Sequence, residues 1–545
     1  MIFIKTFGRT VIKANITEEQ LLSGSIEEIA KRVLDILNNS IQIHNQNHDE
    51  RLYLKAYLYG DQDIYRDKKK YTRKEIDNRT VENWAYAMVD FKKTHLLGKA
   101  IQYVQLDDSG EEEIACLNKY TRYVKKQAKD QMLYEDVLAC GSSYIFVDAV
   151  DEKTQKEKGF EAPFQLINTP VEDTEVVYSS KLGGEQLLSF IQTSMQFIDS
   201  QLNKETGKYE DVEKTYQEYT VYLRKFVLVF NNKSGTLEWI KDETKPLLTR
   251  KHRIIEYYTN RKRISLIELG KDLFNDINYL ESMDKDDMEQ FVNAIMVFTN
   301  AEIDEEGLSE MKDLGAVCIN STDNKKASID LLQGRLNAND TQTYYTRLLN
   351  ALHQILGVPR ATDSGSITSG DTGKAKLTGQ GFTSSGIRIE GEQCMFGMCD
   401  METLEVILEI CRNSTTSEIT KLKVSDTGQI FQRDMTDNML TKTQALQNLY
   451  SCDIPRKFAN SIIGLFGDPN SVTKEQEKIF GAQSSQTGAG KDKENSEENS
   501  KNVDNSDNQN PQENQDNNKL NSNMQNGKEQ QNNVRRTMQN DLQGK

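Results

Sequence analysis

The stretch HRIIEYYTNRKRISLIELGKDLFNDINYLESMDKDDMEQFVNAIMVFTNAE, residues 252–302, changes its pattern of apolar residues partway along. It opens on a short run of β-branched and aromatic residues, which is typical of a β-strand. Farther on, apolar residues recur every three or four positions, at Met288, Phe291, Val292, Ile295 and either Phe298 or Thr299. This spacing predicts a long helix over residues 268–299 with one apolar face.

A second amphipathic helix is predicted over residues 338–357. Asn339 or Asp340 is suited to cap its N-terminus, and Gly357 to end it. The intervening residues 300–337 predict a small insert with one helix and two short strands, AVCIN and SIDLL. The sequence therefore predicts two long helices that flank a small α/β insert.

The chain before these helices, residues 1–267, mixes helical patterns with short strands. Helices are predicted over residues 17–60, after Arg79 and before Cys140. Strands are predicted from runs rich in β-branched and aromatic residues: AIQYV, SSYIFVDAV, FQLINTP, TEVVYSS, EYTVYLRKFVLVFNN, TLEWI and HRIIEYYTN. The overall fold class is therefore α+β.

After the second helix, residues 358–376 form a polar, glycine-rich connection. Residues 377–435 predict a long helix whose first half is kinked or loose because it holds three glycines, followed by strand-like KLKVSD and GQIFQRD. Short helices are predicted over residues 436–480. Residues 481–545 are rich in Asn, Gln, Ser, Lys and Glu, and predict a disordered tail.

Composition narrows the class of protein. The 545 residues suffice for two to four packing units, and no run is apolar enough to span a membrane. Seven scattered cysteines suit a reducing cytoplasm, where we expect the chain to be made. A net charge of −16 argues against a protein that grips DNA, although an acidic wall would let a DNA duplex slide past.

The segment GSITSGDTGKA, residues 365–375, holds a Gly-Lys pair like that of a phosphate-binding loop. Such a loop needs a first glycine, where this chain has Thr368, and a magnesium-binding hydroxyl, where it has Ala375. The preceding residues also predict a helix, whereas a phosphate-binding loop follows a strand. Nucleotide binding is therefore not predicted.

Other candidate chemistry is weak. His44 and His48 lie four residues apart without a recognised third ligand, and the cysteines match no zinc spacing. The acidic runs DKDD (284–287) and EEGLSE (305–310) could suit a metal-dependent nuclease, but no catalytic Lys or His accompanies them. No catalytic residue, metal or cofactor is predicted.

The order of several motifs resembles the portal, or head-to-tail connector, proteins of tailed phages, in the branch from siphophages of Gram-positive hosts. The motifs are YLYGDQDIYRDKK, then DNRTVENWAYAMVDFKKTHLLGKAIQYV, then DVLACGSSYIFVDA, then the opening stretch, and finally SGDTGKAKL. The resemblance covers about residues 50–480. One departure is the basic RKRIS, residues 261–265, which stands where the family has an Asn-Asn or Gly-Pro connection.

The resemblance implies a portal-like α+β fold: an α/β wing (1–267), a two-helix stem (268–299 and 338–357), a clip (300–337), a tunnel loop (358–376), a long helix and wing return (377–435), a helical crown (436–480) and the tail. It implies a non-enzymatic ring of twelve copies at one capsid vertex. Double-stranded DNA would be packaged through the ring by the terminase large subunit and later ejected. Capsid, scaffold and head-completion or connector proteins would be the other partners, and no membrane is involved.

The resemblance also places two sets of residues. In the tunnel loop, flexible polar side chains would contact the moving DNA without reading its sequence: Arg360, Ser364, Ser366, Thr368, Ser369, Thr372, Lys374 and Lys376. In the clip, the residues facing the terminase and connector would be Asp323, Asn324, Lys325 and Lys326. Two alternatives remain open, a metal-dependent phage nuclease and a structural capsid adaptor without DNA contact.

Overall fold

The computed structural model describes residues 7–66, 76–106, 111–202, 209–247, 249–292, 295–299, 328–332, 338–360, 382–431 and 439–452, with isolated positions between 454 and 478. Residues 1–474 form one compact unit, and all the elements named below belong to it. Residues 475–545 form a second unit, nearly all of which lies outside the described residues. The predicted tail is therefore not described.

The described parts of the chain contain both helices and mainly antiparallel sheets, which confirms the α+β class. The helices are α1 (Glu18–Leu21), α2 (Ile26–Leu58), α3 (Trp84–Leu97), α4 (Glu111–Tyr123), α5 (Lys126–Cys140), α6 (Glu152–Lys158), α7 (Leu266–Val292), α8 (Ala338–Leu356), α9 (Phe382–Asn413) and α10 (Met439–Ser451). The strands are β1 (Ile12–Ala14), β2 (Gln102–Gln105), β3 (Ser142–Ala149), β4 (Phe164–Asn168), β5 (Thr174–Ser179), β6 (Gln186–Leu202), β7 (Tyr209–Tyr222), β8 (Phe226–Asn231), β9 (Glu238–Pro246), β10 (Ile254–Tyr258), β11 (Ile295–Thr299), β12 (Ser328–Leu332) and β13 (Thr427–Ile430).

The strands form one large sheet and three small ones. The large sheet has the order β1-β5-β6-β7-β8-β9, in which β1 and β5 are parallel and every other pair is antiparallel. Strands β10, β3 and β4 form a second sheet, and β11 with β12 and β13 with β2 form two-stranded pairs. The large sheet packs on the first half of α2 to form one hydrophobic core, while α3, α5, α7, α8, α9 and the β10-β3-β4 sheet share the other.

The predicted helix over 268–299 is wrong at its C-terminal end. Helix α7 ends at Val292, and Ile295–Thr299 pairs antiparallel with Ser328–Leu332, the predicted strand SIDLL. Over five residues, helical spacing and a buried strand cannot be told apart by periodicity. The sequence IMVFT is rich in β-branched and aromatic residues, and a partner strand decides the outcome. The other predicted strand of the insert, AVCIN, lies outside the described residues.

Three further predictions need correction. Asn339 and Asp340 do not cap α8, because that helix already begins at Ala338. The run KLKVSD holds a short 3₁₀ turn at Val424–Asp426, and only GQIFQRD contributes a strand, β13. The glycines of α9 do not interrupt it, since the helix is continuous and buries one face of its second half in the core.

Candidate functional site

The pair formed by α7 and α8 was predicted as the central feature, and the structure packs the two helices antiparallel. An ideal Cβ at Gly270 would lie 3.2 Å from Leu352 Cδ1, at one end of the contact. At the other end, Tyr345 Oη donates to both carboxylate oxygens of Glu82 (2.8 and 2.9 Å), and the Glu82 backbone bonds to Asn278 of α7. The absence of a side chain at Gly270 lets the two helices approach closely.

A second face of α7 is polar and carries the segment that leads into α3. Backbone N–H groups of this segment donate to side chains of α7: Asn78 to Asp286 Oδ1 (2.8 Å), Thr80 to Ser282 Oγ (2.9 Å) and Glu82 to Asn278 Oδ1 (2.8 Å). The acceptors are four residues apart, about 6 Å along a helix. The donors are two residues apart, about 6.6 Å along an extended chain. We call this matched set of hydrogen bonds the polar ladder.

The C-terminus of α8 is closed by a glycine and an arginine from α9. Gly357 has a φ of +70°, which favours glycine, and an ideal Cβ there would lie 2.6 Å from Arg388 Cδ. Arg388 Nη1 donates to the carbonyls of Gln354 (2.8 Å) and Ile355 (3.1 Å). A cation at these carbonyls also interacts favourably with the helix dipole. Arg388 thereby joins the end of α8 to the first turns of α9.

Of the residues predicted for the tunnel loop, the structure describes Arg360. Its guanidinium donates to Asn350 Oδ1 and to the Thr346 carbonyl (3.4 Å), so it folds back onto α8. The remaining predicted loop residues, Ser364, Ser366, Thr368, Ser369, Thr372, Lys374 and Lys376, lie outside the described residues. The predicted clip residues Asp323, Asn324, Lys325 and Lys326 do too.

A buried charged network, which the sequence did not reveal, joins α5 to α9. Lys126 Nζ lies 2.6 Å from Asp130 Oδ2 and 2.6 Å from Asp400 Oδ1. Tyr103 Oη (2.8 Å) and Gln429 Nε2 (2.6 Å) donate to the other oxygen of Asp400, and no such donor reaches Asp130 Oδ1 among the described residues. Lys126 is thus the single cation paired with both carboxylates in this network, and the side chains of Lys126, Asp130 and Asp400 are all buried.

Burial and the nearby Asp400 raise the pKa of Asp130 to about 7, against the opposing attraction of Lys126. The same lysine, held between two carboxylates, has a pKa raised above its usual range despite its burial. Lys126 and Asp130 are four residues apart on α5, but Asp400 is distant in sequence, and no local motif signals the network as a whole. It is a structural element that binds two parts of the fold together.

One residue of the acidic run DKDD, Asp286, belongs to the polar ladder. Asp286 Oδ1 accepts from the backbone (2.8 Å) and side chain (3.0 Å) of Asn78. Within the described residues, no group of three or more His, Cys, Asp or Glu side chains is arranged to hold a metal ion. The other acidic run, EEGLSE, lies outside them. Also in the described part, no helix is long and apolar enough to cross a membrane.

Comparison with protein-family models places the chain among the phage portal proteins, with residues 37–488 matched. Within this class, the chain belongs to the SPP1 Gp6-like family. No curated protein matches it. The match confirms the resemblance to phage portal proteins, and it supports neither the nuclease nor the adaptor without DNA contact.

Membership of this family makes the chain a portal protein of the phage capsid, which forms the channel for DNA packaging. The family is structural and not enzymatic. It implies a homo-oligomeric ring at a capsid vertex, with capsid, terminase and DNA as partners.

Proposed function

We propose that twelve copies of this chain form the ring, and that the α7–α8 pair is its stem. The observation that carries this assignment is the antiparallel pairing of two long helices whose far end continues into the β11–β12 strand pair. This is the arrangement that we expect of a portal stem, in which two helices lead into and return from a small clip. Because Ile295–Thr299 is a strand, we place the stem helix at residues 266–292 and begin the clip at 295.

In this proposal, the loop after α8 faces the channel. Residues 358–376 begin where Gly357 ends α8, and their glycines, hydroxyls and lysines suit transient contacts that do not depend on DNA sequence. Charge supports the assignment. A net charge of −16 disfavours tight retention of a polyanion, which suits a ring through which DNA slides.

The clip, around Asp323–Lys326, would meet the terminase large subunit during packaging and the head-completion or connector proteins afterwards. Residues 436–480 would form the crown inside the capsid, near the scaffold. The terminase would supply the energy for DNA movement, and the ring would later serve for ejection. The ring itself needs no nucleotide, which agrees with the loop sequence, where Thr368 and Ala375 replace residues that a phosphate-binding loop requires.

Electron microscopy of the purified full chain tests the proposal. We expect closed rings with an open central channel, and light scattering should give the mass of about twelve chains. The stem offers apolar residues for such contacts, since Leu269 and Tyr279 of α7 are 52% and 53% exposed. A chain that remains monomeric at high concentration and low salt would contradict the proposal.

A further inference from the structure

The departure from the family pattern, the basic run Arg261–Arg263, forms a well-defined turn between β10 and α7. Asn260 closes the turn, because its side chain accepts from the Ile264 N–H (2.8 Å) and donates to the Ile264 carbonyl (2.8 Å). Arg263 has a φ of +53° and turns inward, where its guanidinium binds Glu256 (2.8 and 3.0 Å). The turn therefore separates one inward arginine from the two basic residues before it.

The backbone of this turn is held on two sides by glycines. An ideal Cβ at Gly8 would lie 2.1 Å from the Lys262 carbonyl oxygen, and one at Gly141 would lie 1.9 Å from the Arg263 carbonyl oxygen. The Arg9 N–H also donates to the Lys262 carbonyl (3.1 Å). Close backbone contacts of this kind fix the turn, so the two outward side chains extend from a rigid base.

The outward side chains are Arg261 and Lys262, and both residues are exposed. Neither side chain has an ion pair or hydrogen bond with another described residue. By contrast, Arg263 and Arg9 are buried against carboxylates. The turn thus presents two cations whose charge no described carboxylate neutralises.

These two cations border a cleft of about 510 Å³ between the turn, α3, the end of α8 and α9. Four cations line the cleft, Lys92, Arg261, Lys262 and Arg388, together with one carboxylate, Glu392. Their net charge is +3. Glu392 is already paired with Lys92 and accepts from Tyr134. In a chain of net charge −16, this is a local concentration of positive charge.

The geometry points to this cleft as a binding site for a phosphate group. The Arg261 guanidinium can donate two parallel hydrogen bonds to phosphate oxygens, and Lys262 adds a point charge beside it. Leu266, Leu269, Ile355 and Leu356 form apolar walls of the cleft beside these cations. The phosphate is either a phosphodiester of DNA or a free phosphate ion. The first possibility depends on the proposed function as a DNA channel, and the second does not.

The test uses the full chain and two double variants with the same change of charge. Arg261→Gln/Lys262→Gln removes the cleft cations. Lys153→Gln/Lys156→Gln removes two exposed lysines of α6, away from the cleft lining. Calorimetric titration with inorganic phosphate measures binding of the free ion. Fluorescence anisotropy of a short labelled DNA duplex, at about 50 and about 200 mM salt, measures binding of the phosphodiester.

If the cleft binds phosphate, the cleft variant should bind inorganic phosphate about tenfold or more weakly, and the α6 variant should bind like the unmodified chain. If DNA is the source, the slope of log affinity against log salt should also fall by about 1.8 in the cleft variant, for two lost contacts. An unchanged duplex affinity with weakened phosphate binding identifies the free ion instead.

Equal phosphate binding by all three proteins overturns the proposal. So does a cleft variant that keeps its melting temperature but no longer forms rings, because the cleft would then hold an acidic group of a neighbouring copy. Failure of the unmodified chain to form rings would refute the proposed function instead. The phosphate titration reports on the cleft in either case, so the two failures can be told apart.

Discussion

Replacing Asp130 by Asn should stabilise the protein strongly at about pH 8 and much less at about pH 5. Asp130 shares the single cation Lys126 with Asp400, and its second oxygen has no hydrogen-bond donor among the described residues. Burial raises its pKa to about 7. The carboxyl of an unfolded chain has a pKa near 3.9, so folding strengthens proton binding by about 3 pKa units.

The sign follows from linkage. The folded state holds the proton more tightly than the unfolded state, so this contribution to stability is complete below about pH 4 and is lost as the pH rises through about 7. At about 1.4 kcal/mol per unit, the loss amounts to about 4 kcal/mol. Asn has no proton to lose, and the variant should therefore gain up to about this amount at about pH 8, but only about 1.5 kcal/mol at about pH 5, which is about one unit above the unfolded pKa.

Thermal unfolding at the two pH values measures the effect, with Asp35→Asn as the control. Asp35 is exposed on α2, and its replacement should change the free energy of unfolding by at most about 0.5 kcal/mol. Asp136, whose pKa burial raises to about 6, titrates in every variant and cancels from the comparison. Lys126→Met should have the opposite effect and destabilise by about 3–5 kcal/mol, because it leaves two buried carboxylates without their cation.

The reasoning is refuted if Asp130→Asn lowers the melting temperature at about pH 8 as strongly as Lys126→Met does. That result would mean that the charged Asp130 carboxylate stabilises the folded state, and that folding does not strengthen proton binding at Asp130.

Three other predictions concern α7, the end of α8 and the loop that follows α8. Asp286→Ala should lower the free energy of unfolding by about 1–3 kcal/mol, because it leaves the Asn78 N–H without its acceptor. The control, Asp284→Ala in the same acidic run, should change this free energy little. Chemical denaturation of the two variants measures the difference. Gly357→Ala should cost more than Gly159→Ala in melting temperature, since both glycines have a positive φ but only Gly357 would bring a Cβ against Arg388. Deleting residues 368–372 should permit rings to form, as seen by electron microscopy, yet reduce the DNA content of assembled phage; full packaging would show that the loop is only a connection.

Local sequence signals predicted the helices well where the determining residues are close together. Gly357 ends α8 as expected, because a positive φ after a helix favours glycine and needs no distant partner. The end of α7 was missed for the opposite reason. Ile295–Thr299 becomes a strand only through Ser328–Leu332, which lies more than 25 residues away along the chain.

Strand β6, the longest strand described, was also missed. Among the described residues its outer half pairs with β7 alone, and residues 192–199 are exposed or half-buried on both faces. A ribbon with solvent on both sides does not need the alternation of apolar and polar residues that reveals a half-buried strand. The Lys126 network could not be predicted either, because its two carboxylates, Asp130 and Asp400, lie in different helices.

The packing of α7 limits what this helix can offer to a ring. Its apolar face is buried against α8 and the core, its polar face holds the ladder, and its N-terminus is fixed by Glu268, which accepts from the Ser265 N–H (2.8 Å) and pairs with Arg9. A strip along Leu269, Asp272, Asp276 and Tyr279 remains exposed. This strip combines apolar and acidic side chains, so it can pack against a neighbouring copy without attracting DNA. If α7 is the stem helix, as we propose, its described neighbours hold it on three sides while DNA passes, and the exposed strip is the side that remains for assembly.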